Sequence, residues 1–160
     1  MIKKLILDYK IRKNSSATTN CSYHDAKEVG VFYDSGRFLS EMIKETTDHL
    51  QNDGKKVTTL SFSSTKTEGL GQIDKSSVSV FGEFRDELLE GFVQKEFDFL
   101  LLLSDREDVS SKYIIASSKA KCKIGFEHPY WNDVLHLAIG AGLQKQDEIR
   151  TMLKYIRMIA

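Results

Sequence analysis

The hydrophobic positions of this chain follow two rhythms. Short apolar runs of strand type alternate with longer stretches whose apolar residues recur every three or four positions. Residues 28–33, EVGVFY, form the first strand-like run, and Asp34-Ser-Gly-Arg37 follows it directly. A helix is predicted from there to about Asn52, with Leu39, Met42, Ile43, Thr46 and Leu50 as its buried stripe and Asp34 or Ser35 as N-cap. Asn52-Asp53-Gly54 is a stop signal, because glycine takes the left-handed conformation cheaply. Val57–Phe62 reads as a second strand, 63–76 as a polar loop, and Ser77–Phe81 as a third strand. Phe84, Leu88, Leu89, Phe92 and Val93 mark a helix over Glu83–Glu96.

The stretch Phe97–Phe126 is the centre of the pattern. Phe97–Leu103 is apolar throughout except at Asp98, so a strand here needs cover on both faces, as in a parallel sheet between helix layers. A helix over about Asp108–Ala120 carries Val109, Tyr113, Ala116 and Ala120 on one side, and Cys122–Phe126 returns as a strand. In 133–140, Leu135, Leu137 and Ile139 alternate as in a strand, while Trp131, Leu135, Ala138 and Ile139 also fit a helical face. Gly140 and Gly142 close the segment on either reading. The last helix, Asp147–Met158, places Ile149, Met152, Leu153 and Ile156 together. At the other end, residues 2–13 predict a short helix with Ile2, Leu5, Ile6 and Tyr9 on one face.

Strands alternating with helices imply parallel pairing through right-handed crossovers. The expected fold is α/β, a three-layer Rossmann-like sandwich around a mainly parallel sheet of five or six strands, with 29–33 and 97–103 as neighbours. The expected organisation is a basic helix (1–13), a polar linker (14–26) and one α/β domain (27–160).

Composition adds constraints more than chemistry. Lys plus Arg and Asp plus Glu are both 23 in 160 residues, so a global basic field is absent and no nucleic-acid partner is expected. A chain of this size holds a core without a disulfide, and Cys21 and Cys122 read as reduced thiols. The apolar run Leu5–Leu7 is far shorter than the roughly 7–15 residues of a secretion signal. Phe99–Leu103 is far shorter than the roughly 20 residues that cross a bilayer. These features lead to the expectation of a soluble, cytoplasmic protein. Residues 2–13 carry a net charge of +4, which raises peripheral contact with an acidic membrane as an option beside packing on the domain.

Candidate chemistry follows from the expected topology. Ligands of open parallel sheets bind beyond the carboxyl ends of strands, where strand order reverses. Two loops would meet there. One is Asp34-Ser35-Gly36-Arg37, and the other is Ser104-Asp105-Arg106-Glu107. Each is expected to open a helix, whose unpaired N–H groups can hold an anion with help from an arginine. The same residue types also serve as ordinary helix caps. Neither GxGxxG nor GxxxxGK[ST] occurs in a strand–helix turn, and no GxSxG elbow is present. The histidines, His24, His49, His128 and His136, lack metal-ligand spacing. His128 follows the strand 122–126 and so faces the same sheet end, and His49 is expected to pack. No catalytic residue, metal or cofactor is implied.

Two segments carry a resemblance. FDFLL at 97–101 followed by SSKAKCKIG at 117–125 resembles a family of small bacterial proteins of unknown function with an "FDLLI…SKAK-KVG" pattern. Asn132-Asp133-Val-Leu135 and Tyr155-Ile156 match its later pieces, and Val29–Asp34 its first strand. That resemblance favours a strand at 134–140. More distantly, the same unit is similar to the N-terminal Rossmann-like half of heptosyltransferase-type glycosyltransferases, whose nucleotide-sugar site lies mainly in a second domain for which this chain is too short. The resemblance to the family implies no known activity, and a sheet pattern without phosphate loops leads to the expectation of a non-enzymatic domain acting through a protein partner, by way of the basic N-terminal helix, or by self-association. The alternative is a binder of a small anionic ligand, a nucleotide or sugar phosphate, at the central strand ends.

Overall fold

The computed structural model describes residues 1–14, 22–36, 38, 40–63, 72–140 and 145–159. Its centre is a six-stranded sheet, all parallel, ordered β3-β2-β1-β4-β5-β6. The strands are β1 (Glu28–Asp34), β2 (Lys56–Ser63), β3 (Gln72–Asp74), β4 (Phe99–Leu103), β5 (Cys122–Phe126) and β6 (Leu137–Ile139). The helices are α1 (Ile2–Lys13), α2 (Ser40–Asn52), α3 (Glu87–Gln94), α4 (Val109–Ser117) and α5 (Lys145–Arg157). This is the α/β Rossmann-like sandwich that the pattern predicts. β1 and β4 are neighbours, in the register Val29↔Phe99 to Tyr33↔Leu103.

The burial of β4 explains the architecture. All five residues of FLLLL are buried. Phe99, Leu101 and Leu103 face a layer made by Ile43 and Leu50 of α2 and Ile149, Met152 and Ile156 of α5. Leu100 and Leu102 face the opposite layer, with Leu89 and Phe92 of α3 and Ile114 and Ile115 of α4. A strand without a polar face folds only between two such layers.

Asp98 fastens the amino ends of these strands. Its Oδ2 accepts the N–H groups of Lys27 and Glu28 at 2.8 and 3.0 Å, and its Oδ1 pairs with Lys121 Nζ at 2.8 Å. Burial alone would raise its carboxyl. The Lys121 ammonium and the two backbone donors outweigh that effect and hold it at about 2.

Several elements differ from the sequence reading. Ser77–Phe81 is not a strand. The third strand is Gln72–Asp74, inside the stretch expected to be loop, and a one-turn 3-10 helix over Lys75–Ser77 follows it. Ile73 is its only apolar residue, too little for a periodic signal. Val78 instead makes an antiparallel bridge to Phe84, and α3 begins only at Glu87, capped by Asp86. Segment 133–140 resolves into a turn followed by the short strand β6, which is an edge of the sheet. His49 is partly exposed, 3.8 Å from Glu45, rather than packed. Cys21, Leu39, Gly69, Gly71 and Gly142 lie outside the described residues.

α1 contradicts its expected packing face. Leu7 and Ile11 are buried in the α4 layer, whereas Ile2, Leu5 and Tyr9 are 69, 66 and 67% exposed. At about 100° per residue, Leu7 and Tyr9 lie on opposite sides of the helix. The wider apolar stripe therefore faces outward and the narrower one inward. The inward choice is fixed by anchors on the same helix: Lys3 Nζ donates to the carbonyls of Lys75 and Val78, and Lys10 Nζ to that of Phe81. Among the described residues no helix is long and apolar enough to cross a membrane.

Candidate functional site at the carboxyl ends of β1 and β4

The chain runs outward from β1 to β2 and β3, then returns to β4 and continues to β5 and β6. Strand order reverses between β1 and β4, so the loops leaving them part to opposite faces and leave a crevice between them. Asp34 ends β1 and is 2% exposed. Its Oδ1 accepts the N–H of Gly36 at 2.9 Å. Its Oδ2 lies 2.8 Å from Nε of Arg106, on the loop after β4. The N–H direction misses the oxygen, so the contact is an ion pair that leaves Oδ2 without a hydrogen bond. The two predicted loops thus meet through one salt bridge across the reversal point.

The neighbours hold this pair in place. Gly36 borders it closely: a Cβ there would lie 3.2 Å from Arg106 Nη2 and 3.3 Å from Asp34 Oδ1. The Ser35 N–H and Oγ both donate to the Phe62 carbonyl, at 3.1 and 3.3 Å, which ties the turn to the end of β2. Ser104 is buried, and its Oγ accepts the Arg106 N–H at 3.2 Å, shaping the loop that carries the guanidinium. Asp105 is exposed.

The expectation of anion-holding backbone amides is not met at these positions. The Ser35 N–H is spent on the Phe62 carbonyl of β2, and Gly36 and Arg106 spend theirs on Asp34 and Ser104 of their own turns. Neither loop opens a helix directly. α2 starts at Ser40, so neither Asp34 nor Ser35 caps it, and α4 starts at Val109 behind its own cap, Asp108, which accepts the Ser111 N–H at 2.8 Å. What remains for a ligand is the Arg106 side chain, 31% exposed, whose polar side-chain contact among the described residues is Asp34. Arg37 lies outside the described residues. His128 is not brought to the pair. Its Nδ1 accepts the Tyr130 N–H at 3.1 Å, and its own N–H donates to Asn132, so it orders its own loop one strand away.

Sequence reasoning missed Lys123. It sits in β5 at 2% exposure, and its Nζ donates to the Ala116 carbonyl at 3.1 Å. Burial pushes its ammonium down to about 8. A lysine second in the run CKIGF, on a strand covered on both faces, was the available signal. Among the described residues no group of three His, Cys, Asp or Glu side chains is placed to hold a metal ion.

Fold and site together define an open α/β domain of the doubly wound class, with a polar pair at its reversal point. More particularly, the chain belongs to the family of unknown function DUF6913, whose family model matches residues 2–159. Comparison with curated proteins and with solved structures gives no match.

Proposed function

We propose that the protein is a binding domain for a small anionic ligand, a nucleotide or sugar phosphate, which docks on Arg106 at the carboxyl ends of β1 and β4. The observation that carries this reading is the buried Asp34 carboxylate gripping the Nε edge of Arg106 at 2.8 Å. An arginine held by a buried partner loses little further side-chain freedom on binding, and its remaining N–H groups match the geometry of a phosphate or carboxylate. The position is where ligands of open parallel sheets bind.

The test is a melting-temperature screen with inorganic phosphate, nucleotides, sugar phosphates and sugar nucleotides. The distant likeness to heptosyltransferase-type enzymes motivates the last class. A true ligand at 100 times its Kd adds about 2.7 kcal/mol, and Arg106→Ala should remove at least about half of that gain. No shift across the panel, or a shift undiminished in Arg106→Ala, overturns the reading.

The outward stripe of α1 favours a second reading, in which α1 docks a protein partner. Exposed Ile2, Leu5 and Tyr9 lie with Arg12 and Lys13 on the outer side, while Lys3 and Lys10 are anchored to the domain and Lys4 pairs with Asp8. That arrangement suits an apolar patch rimmed by carboxylates. A one-to-one complex rebuilt from purified partners should be lost in Leu5→Glu/Tyr9→Glu, which leaves Leu7 and Ile11 in place. Binding of the wild type only to acidic lipid vesicles would overturn it.

A further inference from the structure

Lys123 borders a cavity of about 130 Å³ between α1, α4 and the turn before β6, with exposed Asn14 and Asp133 at its mouth and Leu135 and His136 in its wall. Asp34 and Arg106 do not line it. We propose that this cavity is a second site, in which the Lys123 amine condenses with a small carbonyl compound to form an imine.

Size sets the class of ligand. An apolar cavity of about 150 Å³ accepts benzene, so this one admits a molecule of up to about six heavy atoms, such as a short aldehyde or oxo acid. The chemistry comes from what surrounds the nitrogen. Nζ makes one hydrogen bond among the described residues, to Ala116, and two of its three donors are left over. The carboxylate at the mouth does not compensate its charge: Asp133 Oδ1 is taken by Lys112 Nζ at 2.8 Å, and the Asp133 side chain is 59% exposed. A buried ammonium without a carboxylate favours its neutral, nucleophilic form, and burial accordingly lowers it to about 8.

His136 completes the wall. Its Nδ1 accepts the Lys123 N–H at 2.9 Å, and its own N–H donates to the Lys123 carbonyl at 2.8 Å. That pair of bonds fixes the imidazole against the strand that carries Lys123.

The step balances without an oxidant or reductant. The amine lone pair forms the C–N bond as the carbonyl π pair moves to oxygen, which gains a proton. The carbinolamine then loses that oxygen as water. The two hydrogens of the neutral amine leave with it, and a C=N bond remains.

The full-length protein is incubated near neutral pH with pyruvate, glyoxylate or acetaldehyde and sodium cyanoborohydride, and the reduced adducts are mapped by peptide mass. Lys123 should be labelled at least about tenfold faster than Lys4 or Lys56, whose side chains are 64 and 76% exposed. Lys123→Met should remove that fast adduct and leave the slow surface labelling unchanged. Labelling of Lys123 no faster than that of Lys4 and Lys56 with all three probes overturns the proposal. The wild-type comparison decides the matter even if the variant folds poorly.

Discussion

Phe97→Ala is expected to lower the unfolding free energy by about 3–5 kcal/mol, the range for removing a fully buried aromatic ring. Phe97 is 0% exposed and ends the approach to β4. Its ring packs on Phe92 with centroids 5.0 Å apart and lies under the Lys95 ammonium at 5.3 Å. Its other side covers Gly30 of β1, where a Cβ would lie only 2.8 and 2.9 Å from two ring carbons. A glycine inside a strand marks such a close approach. Gly30→Ala should therefore also destabilise, by overpacking of about 1–3 kcal/mol. The two changes should not add, because alanine at 30 fills part of the space that Phe97→Ala vacates. Urea denaturation of the two single variants and the double variant checks this. A loss below about 1 kcal/mol for Phe97→Ala would show that the ring is not the keystone of this layer.

Lys123→Met should stabilise the protein near neutral pH, and the gain should fade in base. The folded ammonium is lowered to about 8 from 10.5, so between those values the unfolded chain binds more protons than the folded one. Wild-type stability therefore rises with pH across that window, and the penalty of burying the amine is fully present below it. The shift corresponds to roughly 3 kcal/mol. Loss of the hydrogen bond to Ala116 offsets about 1 kcal/mol of it. A net gain of roughly 2 kcal/mol is expected near neutrality, shrinking as pH approaches 10.5. A destabilised variant, or a difference independent of pH, would contradict a buried amine destabilised by its setting.

The same logic explains which parts of the structure were legible. Phe97–Leu103 announced a strand covered on both faces, and with it the parallel sheet, the adjacency of β1 and β4, and the meeting of their loops. Elements held by few apolar residues were not legible. β3 offers Ile73 alone, and its place comes from pairing with β2 rather than from its own pattern. The inward face of α1 is set by Lys3 and Lys10 reaching carbonyls about seventy residues away, which no local periodicity encodes. The turn after β1 looked like a helix start because Asp and Ser are good caps. The structure uses Asp34 on Gly36 and Arg106 instead, and the helix waits until Ser40. Lys123 was hidden by its type, since lysine reads as surface unless the strand around it is known to be covered.

The claim that Arg106 receives an anionic ligand is tested most directly by calorimetric titration of the strongest hit from the ligand screen. Wild type should bind it at a single site, Arg106→Ala should weaken the affinity at least about tenfold, as expected for loss of a charge-assisted contact, and Lys123→Met should bind as wild type does. Equal affinity of the wild type and Arg106→Ala would contradict it.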